Sequence, residues 1–270
     1  MKIMRSLLGS VVMTAAALAG SGLAQADGYG AKDKVVYERS ANWSGLYFGA
    51  HSGWVWSQTD ASFPGGNPAL TIVGVAGQGF GASHDAPIVG GQIGLQHQFG
   101  QIVVGVEGNF STAFQNGANG DDVCPKQTIA LFNCVARFED VLTVGGRLGW
   151  SMGKWLPYLT GGYASARFSE YSTNKSLAPA GFTIVQWSHD RAQGWYIGDG
   201  IDMALAHGWT IGLDYRHYDF DSHAGLANAI VGGVAGGPLP NDNAVFNHTA
   251  DTVTLRVSWK LGRPEPAPLK

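Results

Sequence analysis

Large apolar side chains recur at every second residue in eight separate runs between Trp43 and Leu261. Successive side chains of a β-strand point to opposite faces, so a period of two marks strands rather than helices. In residues 43–56, Leu46, Phe48, Ala50, Trp54 and Trp56 share one face, and Gly45, Tyr47, Gly49, His51 and Gly53 the other. Residues 89–99, 102–114 and 141–151 divide in the same way, and residues 155–168, 194–204, 209–220 and 252–261 complete the set. Three connections are very short, at residues 100–101, 152–154 and 206–208. They alternate strictly with four of about twenty residues or more, near 57–87, 115–140, 169–193 and 221–251. An even number of strands with short turns at one end and long loops at the other is the pattern of an outer-membrane barrel. The predicted fold is all-β: an eight-stranded antiparallel up-and-down transmembrane β-barrel with short periplasmic turns and four long extracellular loops.

A soluble lipocalin-like barrel also alternates, with its apolar face inside. Glycine separates the two. Gly45, Gly49, Gly53, Gly90, Gly94, Gly105, Gly145, Gly149, Gly198, Gly200 and Gly212 accompany the polar face. There a narrow interior needs room for a few large polar groups, whereas on a solvated outer face they would only weaken the strands. Trp54, Phe114, Trp150, Trp155, Trp209 and Trp259 sit at the ends of the apolar stripes, as two interfacial girdles require. Forty glycines without a three-residue period exclude collagen, and nine tryptophans with twelve phenylalanines exclude a disordered chain.

The chain begins with Lys2 and Arg5 before an apolar run over residues 7–18, followed by Ala24-Gln25-Ala26. This is the layout of a secretory signal peptide, cut between Ala26 and Asp27. Gly9, Ser10, Gly20 and Ser21 dilute the run below the roughly 20 apolar residues of a spanning helix. The predicted organisation is a signal peptide over 1–26, a periplasmic segment over 27–42, the barrel over 43–262 and a proline-rich periplasmic tail over 263–270. Without Lys2 and Arg5, 15 basic residues face 20 acidic ones, a balance that argues against nucleic acid as a partner. Cys124 and Cys134 enclose nine residues of a polar stretch, and in an exported chain they are expected to form a loop disulfide. Neither has a second cysteine or histidine at metal-ligand spacing, so no metal site is expected.

Several segments together resemble the small outer-membrane β-barrel proteins of alphaproteobacteria, akin to surface antigens of the opacity-protein and attachment-protein type. They are WSGLYFGAHSGW, GGQIGLQHQFGQIVVGVEGNF, TVGGRLGW followed by LPYLTGGYA, GWYIGDGIDMALAHGWTIGLDYRHYDF, and TVTLRVSWKLG near the end. The resemblance implies a barrel that stabilises the envelope, is inserted by the barrel assembly machinery, contacts outer-membrane lipid and lipopolysaccharide, and meets a host or environmental surface ligand through its loops. Some members are credited with haem binding. Two departures stand out. Family chains usually end in an aromatic residue, whereas here Leu261 is the last outward position and GRPEPAPLK follows. Asp199 falls on the lipid-facing side, where a charge costs about 1–3 kcal/mol near the midplane.

No HExxH, complete GxGxxG or GxxxxGK[ST] motif occurs. The nearest hydrolase-like candidates are Ser188, His189, Asp190, His217 and His223. Ser188 and His189 are adjacent and point apart in an extended segment, so no catalysis is expected. His84, His189, His223 and His248 lie in or beside three of the long loops. Neutral imidazole binds haem iron and divalent metals, so capture of haem or another surface ligand is the alternative to a structural or adhesive role. A general diffusion porin is a weaker third.

The polar face carries Glu107, Asp202 and Asp214 against Arg147, Arg216 and Arg256, with Lys260 lower, near the periplasmic mouth. The interior of an eight-stranded barrel is just wide enough for side chains to fill, and buried charges persist only when paired. Across its short turn Arg147 should face Thr160, so its acid must come from the strand on the other side. The expectation is a Glu107–Arg147 pair, with the other four charges completing a plug that closes the barrel to all but water.

Overall fold

The computed structural model describes residues 41–64, 79–114, 122–123, 132–174, 183–188, 191–231, 234–238 and 244–261. The expected cleavage site at Ala26 and Asp27, residues 27–40 and 262–270, Cys124, His189 and Asp190 lie outside them. The strands are β1 (Gly45–Ser62), β2 (Gly79–Phe99), β3 (Ile102–Ala113), β4 (Asp122–Val123), β5 (Phe132–Trp150), β6 (Trp155–Asn174), β7 (Thr183–Ser188), β8 (Ala192–Ala204), β9 (Trp209–Val231), β10 (Val234–Pro238) and β11 (Ala244–Lys260). Eight of them close a ring in the order β1, β2, β3, β5, β6, β8, β9, β11, with every pairing antiparallel. The last strand returns to the first in a register running from Tyr47↔Lys260 to Ser62↔Val245, which removes both sheet edges. The other three are short. β4 pairs the start of β5, with Asp122 opposite Cys134; β10 pairs the end of β9; β7 runs between β6 and β9 in the direction of β8, continuing the same stave of the wall.

The short turns lie where expected, and Gly100, Gly153 and Gly208 hold φ of 63°, 64° and 81° in them. An L side chain rarely adopts such angles, so glycine suits these tight reversals. At mid-barrel the faces are inverted relative to a soluble protein: Leu159 is 62% exposed and Val106 59%, whereas Glu107 is 2% exposed. Only lipid outside makes that arrangement favourable, and it removes the lipocalin-like alternative. The inward glycines are spaces for tyrosines. A Cβ at Gly94 would overlap the Tyr47 ring, one at Gly145 the Tyr196 hydroxyl, and one at Gly200 the Tyr158 ring.

The strands run further than the alternation suggested. β1 continues to Ser62 instead of 56, β2 starts at Gly79 instead of 89, β9 reaches Val231 instead of 220, and β11 starts at Ala244 instead of 252. In these extensions the polarity reverses. Phe80, Ala82, Ala86, Ala244, Phe246 and Ala250 point inward and are buried, and Gln58, Asp60, Ser83, Asp85 and Asn247 point outward and are exposed. Beyond the lipid the wall meets water, so the ordinary apolar core returns. Two bulges mark the change. On β5, Phe138 and Asp140 pair with the consecutive Phe168 and Arg167 of β6. On β9, His223 and Phe220 pair with Phe246 and His248, so Asp221 and Ser222 oppose Asn247 alone.

Three interior layers result. Trp43, just ahead of β1, packs with Val103 and Leu156 at the short-turn end. Charged residues fill the middle. Val55, Ile88, Phe138, Phe168, Tyr218 and Phe220 belong to the apolar layer above.

Candidate functional site

The middle layer gathers all six expected charges, each less than 5% exposed. Glu107, on β3, accepts hydrogen bonds from Tyr47 Oη at 2.6 Å, Asn109 Nδ2 at 3.1 Å and Arg216 Nη2 at 2.9 Å. Both Nη atoms of Arg256 also reach it. Asp214 accepts from Arg216 Nε and Tyr158 Oη, both at 2.7 Å, and from Arg256 Nη1 at 3.4 Å. Arg147 donates to Asp202 and to Tyr47 Oη at 3.3 Å, and its guanidinium lies 3.6 Å from the Tyr158 ring centroid. Three acids and three bases thus neutralise one another where each alone would be costly.

The structure places Arg147 opposite Thr160 on β6 and opposite Gly105 on β3. Arg147 Nη1 stands 3.7 Å from Glu107 Oε2, but each has a nearer partner: Asp202 for Arg147, and Arg216 and Arg256 for Glu107. Asp202 belongs to β8, two staves from β5. Reasoning from neighbouring strands misses it because an extended guanidinium crosses so narrow a lumen. Lys260 bonds the Asn42 carbonyl at the short-turn end. Tyr47 and Tyr158 were missed as members of the layer; each pairs in register with a glycine, Gly94 and Gly200, which is the signal that would have found them. A void of about 10 Å³ remains beside His51, Ser111 and Arg216, room for about one water.

Of the four histidines expected in or beside the loops, His84, His223 and His248 lie on the wall. His84, on β2, is buried and its Nδ1 accepts the Phe138 N–H at 3.4 Å. His248, on β11, is fully buried; its Nδ1 is 2.7 Å from Thr59 Oγ1 and its ring stacks on Phe168 at 3.8 Å. His223, on β9, is half-buried, its ring 5.1 Å from that of His248. They face inward because the extensions continue the barrel instead of leaving it as loops. Glu170, on β6, completes this group. Its Oε1 is 3.1 Å from His248 Nε2, and the ligand atoms of Glu170, His223 and His248 all lie within 4.8 Å of one another. Glu170 was missed because the predicted strand stopped at residue 168, one inward position short. His217 points outward to Asp251, 2.9 Å away, so it does not meet His223; Ser188 contributes its backbone to β7. Asp199 is exposed on the outer wall, in register with Leu159 and Tyr215.

Residues 12–260 match the family described as outer membrane protein beta-barrel domain. A 22 kDa outer membrane protein of Rhizobium leguminosarum bv. viciae is 28% identical over 147 residues, which are 53% of this chain and 58% of that protein, so the match spans less than two thirds of the relative. Among solved structures, the outer membrane protease OmpT of Escherichia coli shares 8% identity over 80% of this chain and 97% of its own, with a TM-score of 0.47. Neisserial surface protein A shares 11% over 81% and 98%, with a TM-score of 0.35. Ail, the attachment invasion locus protein of Yersinia pestis, shares 8% over 81% and 99%, with a TM-score of 0.36.

Proposed function

Since the chain belongs to the outer membrane protein beta-barrel family and resides in the outer membrane of a Gram-negative cell, we propose that it is a sealed structural and surface barrel, neither a pore nor a catalyst. One observation carries the reading: Glu107, Asp202, Asp214, Arg147, Arg216 and Arg256 fill the lumen at mid-membrane with mutually neutralised charge. An ion or solute crossing this layer must break several buried pairs at once, and the apolar layers on either side offer it no hydration. The outer wall supports a role in the envelope, with Ile93, Leu95, Leu148 and Ile197 against lipid and Trp54, Trp150, Trp155 and Trp209 at its borders. Contacts with lipopolysaccharide, delivery by the barrel assembly machinery, and recognition of a host or environmental ligand by the outer loops belong to the same reading.

Haem capture fits less well, because His248 is fully buried under Phe168, and His84 is buried against β1 with its Nδ1 accepting the Phe138 N–H of β5. The test is the refolded full chain in planar lipid bilayers. No stable conductance step is expected; large, stable steps from the unmodified protein would overturn the sealed barrel.

A further inference from the structure

We propose that Glu170, His223 and His248 form a binding site for one divalent transition-metal cation of the zinc type, in the wall extension beyond the outer edge of the lipid. Two imidazoles and a carboxylate suit zinc and neighbouring first-row dications, and three protein ligands leave a fourth position for water or an external group. With metal–ligand distances near 2.0–2.1 Å, tetrahedral donors sit about 3.4 Å apart. The Glu170–His248 pair already has this spacing at 3.1 Å, and no two ligand atoms of the group are more than 4.8 Å apart, so the remaining contraction to a tetrahedral set is about 1.4 Å at most.

The backbone aims the third ligand. Along β9, Gly212, Asp214, Arg216, Tyr218 and Phe220 point inward at every even position, while His217, Asp219 and Asp221 point outward. An uninterrupted strand would place His223 among the outward set. The extra residue opposite Asn247 shifts the phase, so that His223 pairs with Phe246 and lies beside His248. Bulges re-aim side chains in this way at functional sites. The surroundings hold the second ligand as well. Thr59 Oγ1 lies 2.7 Å from His248 Nδ1 and can accept a hydrogen bond from its N–H, which leaves the Nε2 lone pair directed at the Glu170 side. Metal-binding imidazoles are usually oriented by such a bond on the other nitrogen. Phe168 stacks on His248 within 5° of parallel, and Phe246 lies 5.8 Å from His223, so the rings have little freedom to turn away. Glu170 and His248 are buried and His223 is half-buried, so an ion arrives past His223.

The alternative is a histidine–glutamate hydrogen bond that needs no ion. Titration of the refolded full chain with Co²⁺, read by visible d–d absorption and reversed by Zn²⁺, separates the two. Folding is checked in every sample by heat-modifiable gel mobility. One equivalent per chain is expected to saturate the signal. His223→Ala, at a half-buried position, should weaken binding about a hundredfold while keeping the folded mobility, and Glu170→Gln should do the same. His217→Ala, on the outer wall, should bind as the unmodified chain does. Absence of the bands from folded protein, or a Co²⁺ spectrum unchanged in His223→Ala, would overturn the site. So would loss of binding in His217→Ala alone.

Discussion

At mid-barrel the lumen holds three acidic and three basic side chains bonded to one another, and the outer wall is apolar. Near Glu170 and His248 the lumen holds phenyl rings and two imidazoles around one carboxylate, and the outer wall carries Asp251, Arg167 and Asp60. The same staves build both regions with the same period of two. What differs is the solvent outside. Lipid takes the apolar face outward and leaves the polar residues to satisfy one another in the lumen, whereas water takes the polar face and returns the apolar one to the core. The plug therefore consists of charges that must be paired, and the upper layer is a mainly apolar core that also holds Thr59, His84, Glu170, His223 and His248.

The largest effect should come from breaking the lower region. Glu107→Ala strands guanidinium groups of Arg216 and Arg256 and should cost about 3–5 kcal/mol in urea unfolding of the refolded barrel. A change below 1 kcal/mol would mean that the layer is solvated. Double-mutant cycles sharpen the pairing: with Glu107→Gln, coupling to Arg256→Met should exceed coupling to Arg147→Met, within the roughly 0.5–3 kcal/mol usual for contacting residues. In the upper region, Phe168→Ala should cost about 3 kcal/mol through the cavity it leaves. Bilayer recordings of that variant should stay silent, because the seal lies below; new conductance steps would place the barrier in the upper layer instead.

Asp199→Leu tests the lipid boundary from outside. Removal of a lipid-facing charge should stabilise the barrel by about 1–2 kcal/mol, and a loss of stability would show that Asp199 faces a protein partner. The smallest effect belongs to His217→Ala. Its pair with Asp251 is more than a third exposed on both sides, so the unfolding midpoint should move by an amount equivalent to less than about 1 kcal/mol.

Alternation, strand count, turn positions and the identity of the six buried charges were all legible in the order of residues, because each depends on which face of a strand a side chain takes, and that is set locally. The glycines of the inner face were legible as well, although the tyrosines they admit became visible only through register. Closure of the ring decided the rest. It brought Asp202 to Arg147 across the lumen, where no neighbouring-strand argument reaches, and it carried the strands past the lipid. There the expected signature inverts, and Glu170 lay one inward position beyond the predicted end of its strand. It also set the single extra residue on β9 that turns His223 toward His248. A bulge has no fixed sequence pattern; it is resolved by the pairing of positions about 25 residues apart in the chain, Asp221 and Ser222 against Asn247, which is why this part of the wall belongs to the tertiary structure alone.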